Sequence, residues 1–238
     1  MEQSTRIPER VEAAARNNAA WCDAVCRTHG IVGEYGPDRW TSLKRTPPLY
    51  PDAITLAPAA SVPAMLDHVD RTGPGCSVKD SFATLDLTAY GFRVLFDAEW
   101  IAGDPALRDR FATDGAAWSA VTTPEVLDRW ARAWGGGTDP AAPVFLPSLL
   151  ALDDVRVFAT FADDDVIAGF VANRAHGCVG VSNAFALDDR FDWRGCIATV
   201  GRVWPGLPIV GYESGTDLDD ALAQGLVALG PLRVWASV

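Results

Sequence analysis

The stretch from Gly177 to Val200, GCVGVSNAFALDDRFDWRGCIATV, decides how this chain is expected to fold. Its first part is apolar and rich in β-branched residues, which predicts a strand over 178–186. An acidic and aromatic connection follows, and a helical pattern runs from Trp193 to the Pro-Gly pair at 205–206. In α/β proteins, a helix that begins just after a strand often holds a phosphate on its first backbone N–H groups. The stretch therefore raises the question of whether this chain binds an anion there.

The patterns on either side predict a sheet around this unit. Apolar, β-branched runs predict strands, and spaced apolar residues with helix start and stop signals predict helices. The expected strands are 92–101, 155–165, 166–177, 207–214 and 227–237, and the expected helices are 122–137, 193–206 and 217–225. The order predicts an α/β (α+β) fold with a mixed, mostly antiparallel sheet flanked by helices.

The residues before Phe92 have a different pattern. A helix is expected over 10–29, followed by a long loop over 30–52 that holds four prolines and three glycines. Short strands at 53–58 and 76–87, with a helix at 61–73 between them, complete this part. We expect residues 1–91 to form an N-terminal helical and loop subdomain packed on the sheet.

The composition sets the broad class of protein. The chain has 238 residues, 49% of them hydrophobic and 21% charged, which is typical of a globular domain. A net charge of −11 argues against nucleic-acid binding through a basic face. No apolar run reaches the ~20 residues of a membrane span, and the first residues have no apolar signal core. We therefore expect a cytoplasmic protein that binds neither nucleic acid nor membrane.

The cysteines and histidines do not predict a metal site. Cys22 and Cys26 lie one helical turn apart, but no further ligands follow at a metal-binding spacing. We expect all five cysteines to be reduced thiols and these two to pack in the core.

Polar residues at strand ends are the first candidate site residues. Tyr212 and Glu213 end the apolar strand LPIVGYES, at the sheet edge where α/β proteins bind ligands. Glu213 either acts as a general base or anchor for an amine, or caps the next turn. Asn183 either contacts a ligand or marks a bulge at the end of its strand.

Lys79 and Asp80 interrupt an apolar run, and charged residues in such a strand are unusual. They are candidates for binding an anionic or polar substrate. The fragments VKDSFA (78–83) and VSNAFA (181–186) share three identities, which we attribute to chance because no sustained period accompanies them. Trp40, Trp118 and Trp193 fall near expected loops or helix starts, where an aromatic side chain either lines a pocket or packs in the core.

From Phe92 onward, the order of elements resembles that of the GNAT N-acetyltransferase superfamily. That fold has a strand, two helices, a three-stranded antiparallel meander, a helix, a fifth strand, a last helix and a final hairpin strand. The best-matching segments are ADDDVIAGFVAN (162–173) and LPIVGYESGTDLDDALAQGLVALGPLRVW (207–235). The resemblance covers 92–238, which we expect to form a GNAT-like acyltransferase domain.

The resemblance implies a reaction and its partners. The protein would move an acetyl or other acyl group from acetyl-CoA or another acyl-CoA to a small-molecule amine or amino-acid-like substrate, and a homodimer is possible. Glu213 and Tyr212 would be the catalytic residues, and Lys79 and Asp80 would contact substrate. The cofactor would be held by backbone groups around Asn183, Ala184 and Phe185 and by Arg190, Arg194 and Gly195.

The chain departs from the family pattern at two places. The family's phosphate-binding segment reads Arg/Gln-X-X-Gly-X-Gly/Ala, whereas LDDRFDWRGCIATV (187–200) has no Gly-X-Gly and contains Asp188, Asp189 and Asp192. Ala221 stands where the family often has a general-acid tyrosine. The three aspartates would repel a pyrophosphate at close range.

The departures leave other functions open. One alternative is a non-catalytic ligand-binding or regulatory module on a GNAT scaffold. Free N–H groups facing a cleft at 192–195 would favour the enzyme, and carboxylates or Phe191 and Trp193 filling that space would favour the module. A third possibility is an enzyme of unrelated chemistry built around Lys79, Asp80 and the loop at 30–52.

Overall fold

The computed structural model describes residues 2–111, 118–137, 143–187 and 190–238, with the backbone alone for 2–6. Two compact units are formed, one of Met1–Trp100 with Leu229–Val238 and the other of Ile101–Ala228. Within the described ranges, no helix is both long and apolar enough to cross a membrane.

The elements alternate between helix and strand along the chain. The helices are α1 (Glu2–Thr28), α2 (Val62–Leu66), α3 (Pro105–Asp109), α4 (Pro124–Trp134), α5 (Trp193–Val203) and α6 (Gly215–Ala223). The strands are β1 (Glu34–Tyr35), β2 (Arg39–Thr41), β3 (Ala53–Thr55), β4 (Ser77–Asp80), β5 (Phe92–Gly103), β6 (Ser119–Ala120), β7 (Val155–Ala162), β8 (Asp165–Ala175), β9 (Cys178–Ala186), β10 (Ile209–Glu213) and β11 (Val227–Ser237). Short 3₁₀ turns cover Thr88–Tyr90 and Pro147–Ala151.

The first unit is a sheet covered by α1. Its strands lie in the order β1-β2-β3-β4-β11-β5, to which β5 contributes residues 92–100. The β3–β4 pair is parallel, with Ala53 opposite Val78, and β11 runs antiparallel to β4. The apolar residues of α1 recur at helical spacing and so form one face, on which Trp21 and Val25 are buried. This unit therefore has its own hydrophobic core.

The second unit contains the predicted meander. β7, β8 and β9 are antiparallel neighbours, as expected from their alternating pattern, and β9 pairs in parallel with β10. Phe158 and Phe170 face α5 and stack with a centroid distance of 4.9 Å. The helix α4 packs against β8 through the fully buried Trp130. These pairings confirm the mixed, mostly antiparallel sheet flanked by helices that the sequence predicts.

Each unit contains two parallel strands joined through a helix, β3-α2-β4 in the first and β9-α5-β10 in the second. The second strand of each pair ends in a carboxylate, Asp80 or Glu213. The similar fragments VKDSFA and VSNAFA begin on β4 and β9, which take different places in their pairs. The match between these fragments therefore does not mark equivalent strands.

Several boundaries differ from the sequence-based expectation. The helix expected at 61–73 is the single short helix α2, and the loop at 30–52 contains the strands β1 and β2. The strand expected at 76–87 ends at Asp80 because the Asp80 carboxylate accepts the N–H groups of Phe82 and Leu85 and turns the chain. The predicted boundary between residues 91 and 92 falls at the start of β5, inside the first unit.

Candidate active site

The strands β9 and β10 separate along their length. Their pairing consists of Val179 with Ile209 and Gly180 with Val210, and it ends there. β9 continues to Ala186 and stays paired with β8 on its other side, while β10 continues to Glu213. The side chains of 182–186 and 212–213 are partly exposed. The ladder between these two parallel strands therefore stops before either strand ends, and we call the region between their C-terminal ends the gap.

A β-bulge at Asn183 shapes this gap. Gly169 of β8 pairs with Phe185 and Val171 pairs with Ser182, so two residues of β9 lie opposite one residue of β8. Asn183 has a φ of 53°, in the left-handed region that asparagine tolerates better than most residues. Of the two interpretations of Asn183, the structure shows the bulge, and it places that bulge at the gap.

Beyond the bulge, successive side chains of β9 point to opposite faces, as in any strand. Ala184 and Ala186 pack against the core next to α5. Phe185 packs on the other face against Trp130, with ring centroids 5.3 Å apart. Small side chains therefore face α5 on this part of β9, and the aromatic ring of Phe185 faces α4.

The first turn of α5 is closed by its own N-cap residue. Asp192 Oδ1 accepts a hydrogen bond from the Gly195 N–H at 3.0 Å, and the Asp192 carbonyl accepts one from the Cys196 N–H at 3.0 Å. The close packing needs a glycine, because a Cβ on residue 195 would lie 2.1 Å from Asp192 Oδ2 and 2.8 Å from Trp118 Nε1. The protein's own Asp192 carboxylate thus occupies the start of α5, where the sequence raises the question of a bound anion.

The two predicted phosphate-binding arginines point elsewhere. The Arg190 guanidinium lies 3.7 Å from the Asp220 carboxylate, and Arg194 lies over the Phe111 ring at 5.0 Å. Phe191 packs against Trp118 and Trp193, with centroid distances of 5.4 and 5.0 Å. Asp188 and Asp189 lie outside the described residues.

The residues at this helix start fit an anionic group in two respects. Trp118 Nε1 is buried and has no acceptor among the described residues. Gly195 also allows an oxygen to approach the helix backbone closely. A bound anion would, however, have to replace the Asp192 carboxylate.

Glu213 lies at the end of β10 with a carboxyl group that accepts no hydrogen bond from the described residues. Burial, and secondarily the negative charge of Asp217, raise the pKa of Glu213 to about 8. Burial, and then the charges of Asp192 and Glu213, raise the pKa of the Cys196 thiol on α5. The start of α5 and the end of β10 therefore both act electrostatically on Cys196.

The side chain of Tyr212 does not lie on the same face of β10 as that of Glu213. Successive side chains of a strand point to opposite faces, so Tyr212 lies on the face opposite Glu213. The structure brings together Glu213, Gly195 and the bulge region of β9 in one unit, and it leaves Tyr212 on the other side of the strand.

Lys79 and Asp80 belong to the first unit and are buried there. Lys79 Nζ donates to Asn18 Oδ1 at 2.8 Å, and its side chain is 4% exposed. Asp80 is fully buried and accepts hydrogen bonds from the Leu85 and Phe82 N–H groups and from Thr55 Oγ1. These contacts serve the fold, and substrate binding by the two residues stays a prediction.

Sequence reasoning missed the arrangement at the α5 start. It identified Trp118 only as one of three aromatic residues near loops. Asp192 was expected to repel a phosphate, whereas the structure shows it as the N-cap. The signal that could have found the cap is an aspartate three residues before the first glycine of the helix.

No family model and no curated protein matches this sequence. Solved structures do match. A functionally unknown conserved protein from Staphylococcus epidermidis ATCC 12228 aligns with a TM-score of 0.58 and 12% identity over 86% of this chain and 92% of its own. A GCN5-related N-acetyltransferase from Kribbella flavida aligns with a TM-score of 0.56 and 17% identity over 94% of this chain and 95% of its own.

A third structure, a putative GNAT-family acetyltransferase from Novosphingobium aromaticivorans, aligns with a TM-score of 0.51 and 11% identity over 91% of this chain and 95% of its own. These similarities show that the chain has the fold of the GCN5-related N-acetyltransferases, which confirms the resemblance found in the sequence. Because they cover more than nine-tenths of the chain in two cases, they extend into residues 1–91, which the sequence resemblance left out.

Proposed function

We propose that this protein is an N-acyltransferase that moves an acyl group from acyl-CoA to an amine in the gap between β9 and β10. The proposal depends on the environment of the Glu213 carboxyl group. This group is half-buried, without a hydrogen-bond donor among the described residues, at the end of the strand that lines the gap. Its pKa of about 8 suits a base that exchanges protons near neutral pH.

The reaction requires a base because an amine must lose a proton to form an amide. The amine nitrogen attacks the thioester carbonyl carbon, and the C–S bond breaks to release the CoA thiolate. Glu213 would accept the proton that the nitrogen loses, and the leaving thiolate would take a proton from solvent, to which Glu213 later returns its own. Proton transfer of this kind contributes about 10²–10⁴-fold to rate in enzymes.

The cofactor would supply the activated acyl group, and residues of β9 and α5 would hold it. The backbone of β9 at Asn183, Ala184 and Phe185, which lies beyond the last β9–β10 pair, would hold the amide-containing arm, much as a sheet strand accepts an extended peptide. The Gly195 N–H and Trp118 Nε1 would donate to the diphosphate. Arg190 and Arg194 would contribute after leaving Asp220 and Phe111.

The acceptor would be a small cationic amine or an amino-acid-like molecule. Asp217 places negative charge beside Glu213 at the end of β10, which attracts an ammonium group. This proposal does not use Lys79 and Asp80, because their polar groups are buried in the first unit.

Ligand binding is the first test of the proposed function. Acetyl-CoA at a hundred times its dissociation constant should stabilise the protein by about 2.7 kcal/mol. For a chain of this length, that corresponds to a rise in Tm of roughly 5–10 °C. Adenosine, which lacks the diphosphate and the acyl arm, is the control and should leave Tm unchanged. No shift at millimolar acetyl-CoA would count heavily against the proposal.

The second candidate function is a non-catalytic ligand-binding or regulatory module. It is favoured by the Asp192 carboxylate on the Gly195 N–H and by Phe191 packed beside Trp118 and Trp193. A thiol-release assay with a panel of amines separates the two functions. Acetyl-CoA binding with thiol release that depends on an amine supports the enzyme, and binding without release supports the module.

A further inference from the structure

Trp118 has a buried hydrogen-bond donor that no described residue accepts. Its side chain is 7% exposed, and Nε1 has no acceptor in the described part of the chain. The ring is fixed by an edge-on contact with Phe170 at 4.9 Å and a tilted contact with Phe191 at 5.4 Å. A buried donor without a partner is costly, so a bound water, ion or ligand oxygen at this position would stabilise the site.

This donor points at the first turn of α5. Trp118 Nε1 would lie 2.8 Å from a Cβ on residue 195, and Asp192 Oδ2 would lie 2.1 Å from the same position. The indole N–H and the carboxylate therefore border one small volume without bonding to each other. An oxygen placed between Trp118 and the Gly195 N–H would accept hydrogen bonds from both.

Asp192 takes one of these two donors. Its Oδ1 accepts the Gly195 N–H at 3.0 Å, while the residue itself is exposed to solvent. An exposed side chain can rotate into water, and an N-cap contact of this type is weak enough to be exchanged for a ligand. The negative charge of Asp192 also opposes the approach of another anion.

We propose that Asp192 is a built-in competitor for the oxyanion of the ligand, and that Trp118 Nε1 and the Gly195 N–H bind that oxyanion once Asp192 has turned away. The ligand group is a phosphate or diphosphate, and the inference rests on the proposed function in taking the acyl donor as its source. Asp192 then sets the affinity of the site: it keeps weakly bound anions out and yields to a ligand that also fills the gap between β9 and β10.

Three variants test this inference, with inorganic diphosphate and acetyl-CoA as titrants in calorimetry. Asp192→Ala removes the cap and the charge and should tighten binding of both ligands about tenfold, equivalent to about 1.4 kcal/mol. Asp192→Asn keeps a capping oxygen without the charge and should give a smaller gain. Trp118→Phe keeps a ring but removes Nε1 and should weaken binding about tenfold, since hydrogen bonds to charged groups are strong.

Asp219→Ala on α6 is the matched control, because it removes the same charge from an exposed position away from α5. It should leave both affinities within about twofold of the wild type. An equal gain in Asp219→Ala would assign the effect to net charge alone and overturn the inference. Unchanged or weaker binding in Asp192→Ala would also overturn it, as would a failure of diphosphate to bind to any variant.

These outcomes are separate from the test of the proposed function. If acyl transfer to amines occurs but the Asp192 and Trp118 variants bind like the wild type, the inference fails and the proposed function stands. If the variants shift diphosphate affinity as expected but no amine is acylated, the inference stands and the proposed function fails. The melting temperature of each variant confirms that it is folded.

Discussion

Replacing Glu213 by glutamine should lower kcat/KM for acyl transfer by about 10²–10⁴-fold. The amide has nearly the same shape as the carboxylate but cannot accept a proton from the amine. Initial rates of thiol release, measured at pH 9 with saturating acetyl-CoA, provide the test. Asp219→Asn makes the same chemical change on α6 and should keep nearly full activity. A Glu213→Gln protein with wild-type rates would remove the base from the proposed mechanism.

The pH profile gives an independent check on the role of Glu213. Because burial and Asp217 raise its pKa to about 8, kcat/KM should fall about tenfold for each pH unit below 8 and level off above it. An acceptor amine whose own pKa is well below 7 removes the titration of the substrate from this profile. Asp217→Asn removes the neighbouring charge and should move the break in the profile to lower pH.

The titration of Glu213 should also make the stability of the folded protein depend on pH. Glu213 holds its proton up to about pH 8 in the folded protein but only to about pH 4.5 at its ordinary value. Unfolding therefore releases a proton between these two pH values, and stability decreases as the pH rises through that window. Glu213→Gln should remove this loss, so its Tm should rise relative to the wild type between pH 5 and pH 8.5.

Replacing Asp80 by alanine should destabilise the protein by about 3 kcal/mol. The carboxylate is fully buried and accepts the Leu85 N–H at 2.7 Å, the Phe82 N–H at 3.3 Å and Thr55 Oγ1 at 3.4 Å. Its removal leaves these buried donors without a partner and also creates a cavity. Chemical denaturation followed by tryptophan fluorescence measures the change.

Asp86→Ala is the control for this prediction. Asp86 also ends a turn, with its carboxylate accepting the Thr88 N–H at 3.0 Å, but it is exposed to water. Water can replace its contacts, so the denaturation midpoint should remain close to that of the wild type. If Asp80→Ala instead kept its stability and lost turnover, Asp80 would be part of a site and the third possibility raised by the sequence would gain support.

The meander was predictable because its signals are local. The alternation in β7 and β8 and the turns at Asp163 and His176, both with positive φ, lie within a few residues of each other. The early end of β4 was not predictable in this way. The Asp80 carboxylate that turns the chain by accepting the Phe82 and Leu85 N–H groups is buried and also accepts Thr55 Oγ1, which is 25 residues away in the sequence, and no pattern in the strand itself reveals that buried position.

In the candidate site, too, local patterns reveal some residues, while others depend on contacts between distant parts of the chain. Glu213 could be found because a polar residue after an apolar strand lies at the sheet edge where ligands bind. The N-cap role of Asp192 and the unused Trp118 donor require the packing of a distant tryptophan against the first turn of α5. Charge alone suggests only that the aspartates repel a phosphate, so it does not reveal that Asp192 caps α5.

Hydrogen exchange of individual amides, with and without saturating acetyl-CoA, tests most directly whether the gap between β9 and β10 is the binding site. Amides of residues 182–186 and 193–196 should exchange more slowly with the ligand bound, while those of β3 and β4 in the first unit should not change. Protection confined to the first unit, or protection nowhere in the chain, would contradict the assignment of this gap as the acyl-CoA site.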